Sequence, residues 1–375
     1  MSKLYVVFCM DTEGPCDDPG NSELLKDWKK VDFAMDKLFS DGFRSKYKDS
    51  QGNKFKIGWF FLTWSRFSSN PRNRDFGYHK VRDHYLNRWE ESLATYGDEE
   101  CWHYHHPPKS GVGNEWSSDW SSSSEYKTII SRQIIERNWF PICFRAGGTI
   151  MDRNLSQWVD QWFPFDYSNR APLKFPEMDW SDGIDSWQPY APDPIKFKEK
   201  GSGNRLMTRC MDLLTGTSVL SDDDIIQAFK EANAEGKAII SVFDHDYRDI
   251  EDRIDDFLYK LQKFNKDFKD VEIEYKSPSE AISEYIDTQE GDKLELNFKS
   301  TEDKLQIQTN KKIHQSFPWI AVEDKKGEFN QIEEGISKIS EREWEISAEN
   351  FINARRIGIA VSNKNKETDI LVMNR

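Results

Sequence analysis

Short apolar runs of strand length alternate with stretches of helical period over the first two-thirds of the chain. Residues 4–9 (LYVVFC) form one such run, ended by Asp11 and Gly14. Residues 55–62 (FKIGWFFL), 101–105, 140–144, 238–243 (AIISVF) and 271–275 are further strand candidates. Between them, residues 22–39, 78–95, 126–138, 155–162, 221–235 and 249–264 carry apolar positions at helical spacing. Ser277-Pro278-Ser279-Glu280 has the form of a capping box with proline at the first helical position, opening a helix to about Ile286. Repeated strand-then-helix order predicts a parallel sheet, open or closed into a barrel. Residues 165–204 break the rhythm. They are rich in Pro, Asp, Trp and Gly, and read as a long loop or short strands over a site.

After Gly291 the period becomes two. Residues 293–299, 304–309, 344–348 and 357–361 alternate as short antiparallel strands, predicting a small β-sandwich. The expected division is therefore 1–290 and 291–375. The most apolar stretch of the second part, residues 315–323 (QSFPWIAVE), is a candidate contact with the first part.

Composition narrows the partners. The chain has 375 residues and a net charge of −14, with no long Lys/Arg run, which argues against nucleic acid or an anionic membrane surface. Its 14 Trp, 13 Tyr and 24 Phe compensate for a modest apolar fraction of 37% and support a folded core. Five widely spaced cysteines include no CxxC pair, so neither a disulfide framework nor a zinc ribbon is suggested. There is no signal-peptide pattern and no apolar window long enough for a membrane span, so the expectation is a cytoplasmic protein with reduced thiols.

Four chemical clusters fall where apolar strands end, which is where α/β sheets build their sites. Asp11-Thr12-Glu13-Gly14-Pro15 puts two carboxylates on one face of extended chain, or is simply a charged turn. His103-Tyr104-His105 places two imidazoles on one face, roughly 6–7 Å apart at the backbone, which suits two ligands of one ion. His106 then faces away. The alternative is a packed or exposed pair beside Pro107. Arg145, before Gly147 and Gly148, can fix a carboxylate or be an ordinary surface arginine. His245, between Asp244 and Asp246, suits a general acid whose neighbouring carboxylate raises its pKa and holds its tautomer, or it caps the next helix.

The order and strand-end setting of these clusters resemble the polysaccharide deacetylase superfamily (NodB-homology domains, carbohydrate esterase family four). Residues 97–105 (GDEECWHYH) look like that superfamily's G-x-E-[IL]-x-x-H-x-H strand in its divergent branches. Residues 144–148 (FRAGG), 243–246 (FDHD) and 11–15 (DTEGP) look like its arginine segment, its late His-Asp strand and its opening acidic motif. Residues 165–168 (FDYS) and 187–190 (WQPY) look like its mid-chain loop. The likeness spans about residues 4–287.

The resemblance implies a distorted (β/α)7 barrel, a divalent metal such as Zn²⁺, and hydrolysis of N-acetyl groups on sugars. In that reading Glu13, His103 and His105 bind metal, Asp11 is the base, Arg145 positions it, and His245 is the acid. Two departures matter. Thr12 separates Asp11 from Glu13, where the common form has adjacent aspartates, so the roles of base and ligand are open to exchange, or both bind metal. The common form also spaces its histidines four apart, which would put Trp102 where a histidine belongs.

The expected substrate is an N-acylated sugar, nucleotide- or lipid-linked, in surface-polysaccharide assembly. Trp116, Trp120, Trp180, Trp187 and Tyr190 are candidates to stack on sugar rings, or core residues. The rival readings are a glycoside hydrolase on a related barrel, needing two carboxylates about 5–9.5 Å apart, and an inactive glycan-binding protein.

Overall fold

A computed structural model describes the chain except residues 19, 65–66, 114, 116, 118, 175–177, 215–219, 289–290 and 302, and the side chain of residue 121. Eight parallel strands organise the first part: β1 (Ser2–Thr12), β2 (Gly58–Thr63), β3 (Glu99–Tyr104), β4 (Cys143–Ala146), β5 (Phe165–Asn169), β6 (Leu206–Asp212), β7 (Lys237–His245) and β8 (Val271–Tyr275). The order β2-β3-β4-β5-β6-β7-β1 closes on itself because β1 also pairs with β2, giving a seven-stranded parallel barrel. β1 changes neighbour along its length. Residues 2–6 pair with β8, and residues 9–12 pair with β2. That exchange lets an eighth strand join the bottom of the barrel while the top stays closed.

Among the described residues, eight α-helices lie in sequence between or after these strands: α1 (Trp28–Leu38), α2 (Asp41–Arg44), α3 (Lys80–Tyr96), α4 (Glu125–Arg137), α5 (Arg153–Trp162), α6 (Asp222–Glu235), α7 (Glu251–Asn265) and α8 (Pro278–Tyr285). Period-two alternation on β1 explains the layering. Leu4, Val6, Phe8 and Met10 pack outward with residues of α1, α6 and α7. Tyr5, Val7 and Cys9 join Cys101, Cys143 and Cys210 in the cluster that fills the barrel. All five cysteines are free and buried. Ser277 and Glu280 form the expected capping box, and Ser221 caps α6 through Asp224.

Several elements differ from the pattern-based expectation; α1 begins at Trp28 and not at residue 22, and β5 lies within the expected loop. The fourth strand begins only at Cys143, because Asn138 (φ 48°) caps α4 in the left-handed region and residues up to 142 remain irregular. β6 had no clear apolar signature, since Arg209 sits within it. That side chain is buried, donating to the Ala171 carbonyl and Asp224 and lying 4.4 Å from the Trp187 ring.

The C-terminal region forms two four-stranded antiparallel sheets. One contains β9 (Leu296–Ser300), β10 (Lys304–Thr309), β13 (Ile336–Ser340) and β14 (Glu343–Ser347). The other contains β11 (Trp319–Asp324), β12 (Phe329–Ile332), β15 (Ala354–Ser362) and β16 (Thr368–Asn374). They share one core that includes Ile307, Trp344, Ile320 and Ile359. The second sheet packs on α4, with Trp319 fully buried and its indole N–H donating to Ser131 at 3.2 Å. Gln315 donates to the Trp162 carbonyl at 2.8 Å. Residues 315–323 therefore do contact the barrel. Among the described residues no helix is long and apolar enough to cross a membrane.

Candidate metal centre

Strand register brings the four sequence clusters to one end of the barrel. Asp11 lies opposite His245 across β1 and β7, and His103 lies opposite Arg145 across β3 and β4. In-register residues of parallel strands face the same side, so all four point into the barrel mouth. Glu13 and His105 follow two residues later on the same faces, just beyond the strand ends.

Glu13, His103 and His105 converge and are all buried. The Nε2 atoms of His103 and His105 are 3.1 Å apart, and Glu13 Oε1 is 3.3 Å from the first and 3.5 Å from the second. Two ligands bound tetrahedrally at 2.0–2.1 Å stand about 3.3–3.4 Å apart. The three atoms thus mark three corners of such a site, and this group can hold a metal ion. His103 Nδ1 is 3.0 Å from the Arg145 carbonyl. Donation to that carbonyl leaves the Nε2 lone pair facing Glu13 and His105. The other oxygen of Glu13 is taken by the buried Arg74 guanidinium.

The backbone at Glu13 is pinned from below. Asp246 accepts from the Glu13 amide at 2.8 Å, from the Gly14 amide at 2.9 Å and from the Tyr85 hydroxyl at 2.8 Å. Gly14 adopts φ 69°, and a Cβ there would press on the Trp28 ring at 2.8 Å. Gly147 has a different reason to be small. A Cβ on it would lie 2.3 Å from the imidazole of His105.

Asp11 stands beside this group. Arg145 Nε donates to its two oxygens at 2.9 and 3.0 Å, while Arg145 Nη1 donates to the Tyr167 carbonyl at 2.5 Å. His245 Nε2 lies 3.8 Å from both Asp11 Oδ2 and Glu13 Oε1. Burial opposes ionisation of both carboxylates, but the surrounding cations prevail. Arg74 and the two imidazoles hold Glu13 well below the usual range, and Arg145, His103 and His245 hold Asp11 below it. Asp246 goes the other way. Burial, with a contribution from Glu13, pushes it up to about 6 despite its three donors.

Compared with models of known protein families and with curated proteins, the sequence matches none.

The site therefore gathers all six residues singled out from sequence: Asp11, Glu13, His103, His105, Arg145 and His245. Two expectations about their surroundings change. His245 Nδ1 faces Arg248 Nη1 at 2.9 Å, with Asp244 only at 3.9 Å, so an arginine and not a carboxylate sets its tautomer. Donation from Arg248 places the neutral ring's proton on Nε2, toward the cavity. Among the proposed stacking residues, Trp120, Trp180, Trp187 and Tyr190 are buried in the core, and Trp116 lies outside the described residues. The aromatic walls of the cavity are instead Trp64, Phe243 and Tyr247. His106 does face away, stacked on Trp120 and bonded to Tyr104 and Ser122.

Arg74, Asp246 and Gly147 had not been singled out for these roles. Arg74 sits on an irregular segment before α3 with no pattern to mark it. Asp246 was visible only as part of the acidic cluster around His245.

Proposed function

We propose that this protein is a metal-dependent hydrolase that removes an N-acetyl or related N-acyl group from a sugar, with Zn²⁺ as the ion. The spacing of the three ligand atoms, 3.1, 3.3 and 3.5 Å, carries the reading. The closed seven-stranded barrel and the arrival of Asp11, Arg145 and His245 around those ligands support the resemblance to polysaccharide deacetylases. A sugar precursor, nucleotide- or lipid-linked, is the substrate that reading favours.

Glu13, His103 and His105 hold the ion, which when bound polarises the acyl carbonyl and acidifies water. Asp11, kept ionised by Arg145, takes a proton from the water that attacks the carbonyl carbon. The carbon–nitrogen bond breaks, releasing acetate and the amine. The proton held on Asp11 then passes to the departing nitrogen, a transfer typically worth about 10²–10⁴ in rate, while the Nε2–H of His245, close to Asp11 and facing the cavity, hydrogen-bonds the reacting group and keeps its proton.

The test pairs metal content with acetate release from N-acetylated sugars. Glu13→Gln and His103→Ala should lose bound metal and activity together. Asp11→Asn should keep the metal and lose activity by at least about 10²-fold. Purified protein that holds no stoichiometric divalent ion, with activity untouched by His103→Ala, would refute the proposal.

A further inference from the structure

Below the group at the barrel mouth, the interior holds a second set of metal-binding side chains. Cys101 and Cys143 stand two residues before His103 and Arg145, on the same inward faces of β3 and β4. His103 and Arg145 are in register, so the two thiols are neighbours across the same pair of strands. Glu99 lies a further two residues down β3. One ligand atom from each of Glu99, Cys101 and Cys143 is within 4.8 Å of the other two. The proposed reaction uses none of these residues.

The two carboxylate oxygens of Glu99 have different partners. Oε2 accepts from the Ser279 amide at 2.8 Å, in the first turn of α8. Oε1 faces Cys143 Sγ at 3.5 Å. On a tetrahedral zinc ion, a sulfur at about 2.3 Å and a carboxylate oxygen at about 2.0 Å stand roughly 3.5 Å apart. Glu99 and Cys143 therefore already have the spacing of two ligands on one ion. Two thiolates on such an ion stand roughly 3.8 Å apart, which lies inside the limits of this group.

Burial pushes the Glu99 carboxyl and the Cys143 thiol up, because an anion in this interior lacks a counter-charge. Among the described residues no lysine or arginine is paired with Glu99. A divalent cation supplies the missing charge, and the thiol protons leave to solvent as it binds. Two sulfurs and one carboxylate oxygen suit Zn²⁺, whereas Mg²⁺ and Ca²⁺ require oxygen ligands throughout. Glu99 is the least enclosed of the three residues, partly exposed at the start of β3, the end of the barrel opposite the mouth.

We infer that Glu99, Cys101 and Cys143 bind a second zinc ion. It would tie β3 and β4, which carry His103 and Arg145, to α8 at the base of the barrel. This inference does not depend on the hydrolase reading.

The test uses the full chain, loaded with Zn²⁺ or Co²⁺, with circular dichroism to show that each variant is folded. Wild type should hold one zinc equivalent more than Cys101→Ser or Cys143→Ser. His103→Ala and Glu13→Gln, which empty the mouth, should each retain that equivalent. Cobalt-loaded wild type and His103→Ala should show a near-ultraviolet sulfur-to-cobalt charge-transfer band. Cys101→Ser and Cys143→Ser should lose it, and Cys9→Ser, which alters another interior thiol, should keep it. Should both serine variants fail to fold, Glu99→Gln, which preserves the side chain's size, carries the test and should weaken the second ion at least about tenfold. Wild type without the charge-transfer band, a band that persists in both serine variants, or zinc binding unmoved in Glu99→Gln overturns the inference. Zinc at the thiols without acetate release would instead count against the hydrolase reading alone.

Discussion

Replacing Gly147 with alanine adds one methyl group and should dismantle the proposed metal centre. Gly147 is not in the left-handed region, so alanine meets no backbone penalty there. The new Cβ would stand 2.3 Å from Cδ2, 2.4 Å from Cγ and 2.8 Å from Nε2 of His105. Carbon atoms in contact ordinarily keep about 3.5–4.0 Å. The ring or the turn must therefore give by about 1.2 Å, whereas ligand atoms tolerate roughly 0.2 Å. His105 has little to resist the push. Among the described residues its Nδ1 has no hydrogen-bond partner, so the ring is oriented by packing against Trp64 and His103 and by the contacts of Nε2 with His103 and Glu13, with nothing holding its far side.

Even losing a supporting contact typically costs 10–100-fold in metal affinity. Displacing the ligand itself should cost at least that, and Gly147→Ala should approach the affinity of His105→Ala. Chelator competition for Zn²⁺ on both variants, with a thermal melt to show that each is folded, reads the effect. Zinc affinity in Gly147→Ala within about threefold of wild type would refute both the assignment of His105 as a ligand and the reason given for the glycine.

Two further expectations concern the junction between the barrel and the β-region. Trp319→Ala should destabilise the protein by about 3–5 kcal/mol in urea unfolding, because a fully buried indole is lost between α4 and the second sheet. Metal content of the folded fraction should not change. His314 is buried at the same junction, accepting from Asn204 at 3.2 Å and donating to the Asp160 carbonyl at 3.0 Å. Burial drives its pKa down to about 3, so its contribution is complete above about pH 6.5 and is lost as pH falls toward 3. The loss is about 1.4 kcal/mol per pH unit below pH 6.5, or about 2 kcal/mol by pH 5. Unfolding at pH 7 and pH 5 should show that excess in wild type and not in His314→Gln; equal losses in both would refute it.

The parts of the fold that were legible before the structure share one property. Their inward and outward residues alternate cleanly. β1 carries Leu4, Val6, Phe8 and Met10 to the helices, and Tyr5, Val7 and Cys9 to the interior. Continuing the same count two residues further places Asp11 and then Glu13, so the site could be read from the strand. β6 hid because its Arg209 is buried by distant partners, Asp224 and the Ala171 carbonyl, that local sequence does not announce.

The aromatic-rich segment after β5 misled for the opposite reason. Its tryptophans looked available to ligand, but Trp180 donates to the Thr149 carbonyl and Trp187 to the Asp224 carbonyl, and both rings fill the core. His245 shows the limit of arguing from adjacency. Asp244 and Asp246 flank it in sequence, yet they leave the strand on the other face. Asp244 accepts from Arg253 at 2.9 Å, and Asp246 serves the Glu13 backbone.

The division of labour between Asp11 and Glu13, left open by the inserted Thr12, turns on two arginines that bind them differently. Arg74 occupies one oxygen of Glu13 and leaves Oε1 directed at both Nε2 atoms. Asp11 approaches His103 only at Nδ1, at 3.8 Å, the nitrogen that already donates to the Arg145 carbonyl and has no lone pair to share with a metal. Arg145 meanwhile contacts both Asp11 oxygens through a single Nε–H. Such a contact favours the charged form without consuming the carboxylate's remaining lone pairs. A group held ionised, beside the proposed ion site and not part of it, with His245 on its far side, has the properties expected of a base. Glu13, with one oxygen tied and the other aimed at the imidazole pair, has those of a monodentate ligand. The longer side chain of Glu13 fits this split, because it must reach from beyond the strand end back to histidines on β3 and just after it, whereas Asp11 meets Arg145 from within the strand itself.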